Sequence, residues 1–325
     1  MTPAMRSPGL SADERAALAD LEARLGHLHI QQRLGLERDH EAQVFRRGTH
    51  FFHLENWYKA PWFIGAVLSI FGVRRRGQRN ALNIELRHHD VPINGLPNSF
   101  DGYTILHLTD LHMDISAEFP DALVERIRSL RYDLCVLTGD YRARTYGPCD
   151  NALAGLERLR PNITAPAFAV LGNHDSIRMV PRMEAMGYRM LLNEWAKIPV
   201  GDDAIYLSGI EDAHYYKLQN FHRAAQDIPR DAISVLLSHT PEAFRLAAHA
   251  DFNVMLCGHT HGGQICLPGG VPVITDAASP RGIARGSWRY HDLIGYTSVG
   301  AGCSILDARF NCPPEVTLHR LLRAG

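Results

Sequence analysis

Five short stretches of the chain close on residues that bind metals. TILHLTDLH ends in Asp110 and His112, LCVLTGDY in Gly139 and Asp140, and FAVLGNHD in Gly172, Asn173, His174 and Asp175. ISVLLSHTP delivers His239, and NVMLCGHTH delivers Gly258, His259 and His261. Each begins as an apolar, β-rich run and finishes in carboxylate, imidazole or carboxamide. A lone Asp or His after a strand is ordinarily a helix cap or a turn residue. Independent turns, however, have no reason to coincide in metal-ligand chemistry. Gly139, Gly172 and Gly258 let the backbone turn tightly beside the polar groups.

The donors are Asp oxygens, imidazole nitrogens and one Asn carboxamide, with no cysteine among them. That mixture suits manganese, iron or zinc rather than a thiolate-rich structural zinc. Asp110, His112, Asp140, Asn173, His239, His259 and His261 are too many for one ion. Two ions sharing a carboxylate would use them all. Such a pair neutralises phosphate oxygens, lowers the pKa of a bridging water and clamps an in-line displacement. The expected reaction is hydrolysis of a phosphate ester or anhydride with two divalent metal ions, manganese first, iron or zinc as alternatives.

The elements that must carry these residues are short strands alternating with helices. Strand-like runs occupy 104–108, 134–138, 168–171, 205–210, 233–238 and 253–257, with helical candidates over Asp121–Leu130, Ala152–Leu159 and Pro241–Ala248. This pattern predicts an α/β domain with buried sheets, whose ligands lie beyond the carboxyl ends of the strands. Upstream, residues 1–10 read as a disordered tail. Ser11 and Glu14 fit a capping box, and Leu18, Leu21, Leu25 and Leu28 recur at helical spacing to about Gly35, with a break at Gly26. Ala81–Arg87 alternates like an edge strand. The division expected is an N-terminal helical extension over 1–80, with an apolar and basic segment, and a phosphohydrolase domain over 81–325.

Composition sets limits. Hydrophobic residues make up 46% and charged residues 21%, as in a globular protein with a sizeable core. A net charge of −1 gives no footprint for nucleic acid. The six cysteines form no CxxC pair, and the N-terminus lacks a signal-peptide pattern, so a reduced, cytoplasmic setting is expected. Pro61–Val73 is thirteen residues. As a helix it covers about 20 Å, short of the roughly 30 Å of a bilayer core. Trp57, Tyr58 and Trp62 before its centre and Arg74, Arg75, Arg76 and Arg79 after it favour headgroup depth and anionic lipid. The segment reads as a peripheral docking element on the inner face of a membrane, not a span.

The order DxH, GD, GNHD, H and GHTH resembles the calcineurin-like metallophosphoesterases over roughly 104–263. The resemblance implies a four-layer αββα sandwich. It implies Asp110, His112 and His261 on one metal, Asn173, His239 and His259 on the other, and Asp140 between them. His174 would donate a proton to the leaving oxygen, with Asp175 orienting it. Protein phosphatases of this superfamily continue as GDxxDRG, whereas GDYRART places Ala143 where the second Asp would stand, which argues against a Ser/Thr protein phosphatase. Arg142, Arg144 and Arg178 are candidates to hold a second phosphate. GHTHGGQICLPGG, with SFDGYTILHLTDLH, resembles a bacterial branch in which some members hydrolyse UDP-2,3-diacylglucosamine. It implies a phosphodiester or pyrophosphate in a lipid headgroup as substrate. The alternative is a soluble phosphodiesterase or phosphatase for nucleotides; a non-catalytic scaffold ranks below both because every ligand position is filled. No protein partner is identifiable. Asp276–Arg289 is expected as a surface loop or a flap.

Overall fold

The computed structural model describes residues 12–45, 65–66, 68–272 and 278–324. The expected tail, Ser11 of the capping box, Trp57, Tyr58 and Trp62 lie outside the described residues, as do parts of Pro61–Val73 and Asp276–Arg289. Two helices open the chain, α1 (Ala12–Leu25) and α2 (His27–Phe45), parted at Gly26, whose φ of +92° suits glycine. Helix α2 continues well past Gly35. A mid-helix glycine costs about 1 kcal/mol, and Arg33 and Glu37 on either side of it are buried and hydrogen-bonded to each other. Among the described residues a further helix, α3 (Arg74–Leu82), takes up the start of the expected edge strand. Asn83 ends that helix, so the strand itself begins at Glu85.

In chain order the strands are β1 (Glu85–Asn94), β2 (Thr104–Leu108), β3 (Leu134–Leu137), β4 (Ala167–Ala169), β5 (Tyr188–Met190), β6 (Glu194–Val200) and β7 (Asp203–Gly209). There follow β8 (Ser234–Leu237), β9 (Val254–Cys257), the small pair β10 (Cys266–Leu267) and β11 (Val271–Pro272), β12 (Gly286–Tyr290), β13 (Leu293–Thr297) and β14 (Glu315–Ala324). One sheet has the order β1-β14-β2-β3-β4-β5, and the other β12-β13-β9-β8-β7-β6. In the first, β2, β3, β4 and β5 run parallel; in the second, β7, β8, β9 and β13 do.

Alternation along the strands builds the layers. Ile105, Leu134, Val136, Val235, Leu237, Val254 and Leu256 meet between the two sheets. Leu106, Leu108, Cys135 and Leu137 face outward to a helical layer that includes Leu18, Leu21, Leu25, Ile30 and Leu34 of α1 and α2. On the other side Leu236, Met255 and Cys257 pack against Phe244 and Ala247. The order is helices, sheet, sheet, helices. The N-terminal helices therefore share the core of the domain they precede. Because strands buried on both faces carry apolar residues on both, their sequences read as continuous hydrophobic runs.

Candidate metal centre

The polar strand endings meet above the carboxyl ends of β2, β3 and β4 in one sheet and β8 and β9 in the other. Their loops are laced by backbone bonds. Asp110 N donates to Gly139 O at 3.0 Å, His112 N to Asp140 O at 3.0 Å, and Gly258 N to His239 O at 2.9 Å. Asp110, His112, Asp140, His259 and His261 all have positive φ, between +41° and +73°. For a residue with a Cβ this region is sparsely populated, and strain of that kind collects at functional sites. The glycines between them have no alternative. A Cβ on Gly172 would lie 2.2 Å from Asp140 Oδ1, and one on Gly258 would lie 2.2 Å from Asp110 Oδ2.

Two groups of donors result. His112 Nε2 lies 3.1 Å from His261 Nε2, which is 3.6 Å from Asp110 Oδ1. Across from them, His239 Nε2 lies 2.8 Å from Asn173 Oδ1 and 3.2 Å from His259 Nδ1. Asp140 Oδ2 stands between the groups, 3.8 Å from His112 Nε2 and 3.3 Å from His239 Nε2. Two imidazole nitrogens 3.1 Å apart fit ligands of one ion; with bonds of roughly 2.1 Å they would subtend roughly 95°. Outer partners fix the imidazoles. His112 Nδ1 donates to Arg142 O and His239 Nδ1 to Thr138 O, both at 2.8 Å, which leaves each Nε2 lone pair facing inward. Donor set, spacing and tautomers all fit divalent cations.

Electrostatics agree. Burial works to raise the Asp140 carboxyl, but His239, His174 and His112 together outweigh it and hold it well below the usual range. Burial would likewise lower His239, yet Asp140, by charge and hydrogen bond, and Asp110 take it up to about 10. Burial pushes Asp110 up to about 6, and His112 down to about 4.

His174 and Asp175 follow Asn173 on the same loop. His174 N donates to Asp140 Oδ1 at 2.9 Å, its Nδ1 lies 2.9 Å from Ala143 O, and its Nε2 is 3.8 Å from Asp140 Oδ2. The Asp175 carboxylate accepts from the amides of Asp140, Tyr141 and Gly172 at 2.7 to 2.8 Å. It thereby ties the GNHD loop to the GD loop. The three arginines separate. Arg142 is buried and donates to the carbonyls of His174, Thr145 and Gly147. Arg178 lies 3.3 Å from Glu37 and 3.4 Å from Glu14. Arg144 is exposed.

Several residues at the centre were not legible as such. Arg33 of α2 is fully buried, donates to Asp175 O at 2.8 Å and lies 3.5 Å over the Tyr216 ring. Glu37 accepts from Ser176 Oγ at 2.6 Å and Ile177 N at 2.7 Å, so α2 braces the chain just after His174. Arg309, also fully buried, donates to the carbonyls of Val299, Gly300 and Gly302 and reaches within 3.3 Å of His261 Nδ1. A Cβ on Gly300 would meet Asp110 Cβ at 2.7 Å, and one on Gly302 would meet Leu111 O at 2.3 Å. SVGAG after the apolar strand β13 has the same strand-then-glycine form as the ligand-bearing endings, and that was the available signal. Arg33 and Arg309 gave none, because neither stands beside a motif.

The family profile described as calcineurin-like phosphoesterase matches residues 103–263. The metallophosphoesterase YkoQ of Bacillus subtilis (strain 168) is 28% identical over 267 residues, covering 79% of this chain and 97% of that protein. The phosphodiesterase YaeI of Escherichia coli (strain K12) is 27% identical, covering 68% of this chain and 82% of the relative. A UDP-2,3-diacylglucosamine pyrophosphatase, LpxG of Chlamydia muridarum (strain MoPn / Nigg), is also 27% identical, over 70% of this chain and 87% of its own length.

Proposed function

We propose, for a chain that carries a calcineurin-like metallophosphoesterase domain and is therefore a phosphoester hydrolase, that its substrate holds a phosphodiester or pyrophosphate bond in a lipid headgroup, cleaved at a two-metal centre. The observation that carries the centre is the position of Asp140 Oδ2 between two sets of inward-facing donors. Asp110, His112 and His261 would hold one divalent cation and Asn173, His239 and His259 the other, with manganese ahead of iron or zinc. When bound, such a pair supplies positive charge for phosphate oxygens and an activated water.

The remaining work falls to the protein's own groups. With Nδ1 against Ala143 O, His174 presents Nε2 to the centre, where it delivers a proton to the leaving oxygen. Asp175 orients His174 through the loop, by holding the amides on either side of Asp140, rather than through the ring. The buried Asn173 Nδ2 has no hydrogen-bond partner among the described residues, and a substrate phosphate oxygen would satisfy it. Arg144 is the best placed of the three arginines to meet a second phosphate, since Arg142 and Arg178 are engaged by carbonyls and carboxylates. The Chlamydia pyrophosphatase supports the lipid reading; the Escherichia coli phosphodiesterase supports the second one, a soluble phosphodiester.

The manganese-loaded protein assayed on bis-p-nitrophenyl phosphate, a cyclic nucleotide and UDP-2,3-diacylglucosamine separates the two. The lipid should show the highest kcat/KM. Brisk turnover of the nucleotide with an uncleaved lipid overturns the lipid reading. Asp140→Asn should lower both metal content and hydrolysis by more than the ~10–100-fold typical of losing an outer partner.

A further inference from the structure

A cavity of about 640 Å³ opens between α3 and the chain that follows His112. One wall is Arg75, Arg76 and Arg79, all exposed. The lining also includes the apolar residues Leu82, Ile115 and Phe119 beside Gln78 and Ser116. Its lining sets three guanidiniums against the two carboxylates of Glu118 and Asp307, which leaves one positive charge in excess. Each carboxylate accepts from a neutral donor, Asp307 from Gln78 Nε2 and Glu118 from Ser116 Oγ, both at 2.8 Å. Among the described residues no carboxylate is ion-paired with these three guanidiniums.

The helix is held so that its arginines must face this way. A Cβ on Gly77 would lie 2.7 Å from the Phe310 ring, so only glycine lets α3 approach so closely. Arg309 N donates to Gly77 O at 3.1 Å, and Asn80 Nδ2 to Arg309 O at 3.0 Å. Arg309 in turn touches His261, so α3 is tied to the segment that backs a proposed metal ligand. Just before α3, Gly72 turns the chain at φ +68° and leaves Ile70 82% and Phe71 74% exposed. Two large apolar side chains are thus presented to solvent a few residues before a row of exposed guanidiniums.

We propose that this cavity binds the phosphate of an anionic phospholipid, with the arginines on the headgroup and Ile70 and Phe71 entering the acyl boundary. Charge complementarity and the paired apolar tip select an amphiphile over a free anion. This deepens the lipid reading of the proposed function and rests on it for the source of the ligand; the site itself does not depend on which bond is cleaved.

Sedimentation with vesicles at low salt tests it. The intact protein should bind phosphatidylcholine vesicles containing phosphatidylglycerol and not vesicles of phosphatidylcholine alone. The triple variant Arg75→Gln, Arg76→Gln, Arg79→Gln should lose on the order of a hundredfold in affinity, at about 1 kcal/mol per arginine near a charged surface. The variant Ile70→Ser, Phe71→Ser keeps the charge and should also bind more weakly, with metal content and melting temperature as fold controls for both. Equal binding of intact protein and triple variant overturns the proposal, as does equal binding to neutral and anionic vesicles. Inorganic phosphate alone should not compete; if it displaces the vesicles, the site takes free anions and the lipid assignment falls. Hydrolysis of bis-p-nitrophenyl phosphate by the intact protein is measured separately, so failure here leaves the hydrolase reading standing.

Discussion

Helices α2 and α3 both precede the sheets, and both bring arginine to the surroundings of the candidate metal centre, by opposite means. Arg33 of α2 has no exposed surface; its guanidinium meets Glu37 at 3.0 Å, Glu211 at 3.5 Å and Asp175 O at 2.8 Å. Burial would strip its proton, but Glu211, Tyr216 and Glu37 outweigh that and keep it firmly charged. The arginines of α3 stay in water, and their carboxylate neighbours are bonded to Gln78 and Ser116 instead. One arginine is a structural tie whose removal strands buried charge. The others are a surface whose removal should alter only what binds there. Conspicuousness misleads: RRRGQR draws the eye, while Arg33 sits unremarked in an ordinary helical stretch.

The contrast breaks most sharply on stability. Arg33→Met should cost about 3–5 kcal/mol in urea unfolding, because Glu37 and Glu211 stay buried without their cation. A loss near zero would show that α2 is a mere cover. The same pair of proteins carries a pH signature. Burial raises the Glu211 carboxyl, but Arg33 and His29 outweigh it and leave it below the ordinary value. A depressed folded pKa means the contribution is complete above the unfolded value, about 4.3, and is lost as pH falls through the folded one. Without Arg33, burial dominates and the carboxyl rises above its ordinary value. Relative to the intact protein, the variant should therefore lose stability as pH climbs from about 5 to about 8. Urea midpoints across that range decide it.

A smaller effect sharpens the comparison at the proposed metal ligands. Glu37→Gln keeps the helix but weakens the grip on Ser176 Oγ and Ile177 N, three and four residues past Asn173. Manganese affinity, measured by calorimetry, should fall by about 10–100-fold, the range for outer partners of metal ligands. An unchanged affinity would confine α2 to a stability role. The least effect is expected at α3, where Arg75→Gln alone should move stability by no more than about 0.5 kcal/mol, as for an exposed side chain. A larger loss in thermal unfolding would mean the α3 arginines are structural after all.

The core strands were legible because burial on both faces leaves a continuous apolar run. Their endings were legible because metal-ligand residues recur there beside glycine. Helix limits were less so. Asp121–Leu130 lies as Phe119–Ile127, and Pro241–Ala248 as a short 3-10 turn followed by Phe244–His249. Capping side chains and tertiary contacts set such ends, not periodicity alone. The wealth of histidine was only partly a metal signal. His89, His319 and His107 form a chain between the sheets, His89 Nδ1 to His319 Nδ1 at 2.9 Å and His319 Nε2 to His107 Nδ1 at 3.2 Å. His107 then reaches Thr138 Oγ1 at 2.8 Å, and burial takes it down to about 3. They come from β1, β14 and β2, adjacent in the sheet although His319 of β14 lies 230 and 212 positions from His89 and His107.

The sequence by itself determined the alternation of strands and helices, the donor types at the strand ends and the phosphate chemistry those donors suit, since each is a local property of residue type and spacing. Only the tertiary structure decided what those donors rest on. Arg33 and Arg309 are single residues whose meaning is fixed by partners 142 and 48 positions away. A buried charge is defined by what surrounds it, and surroundings are assembled by the fold. The same holds for α3: its arginines are a plain basic run until Gly77 seats the helix against Phe310 and gives them a cavity to face.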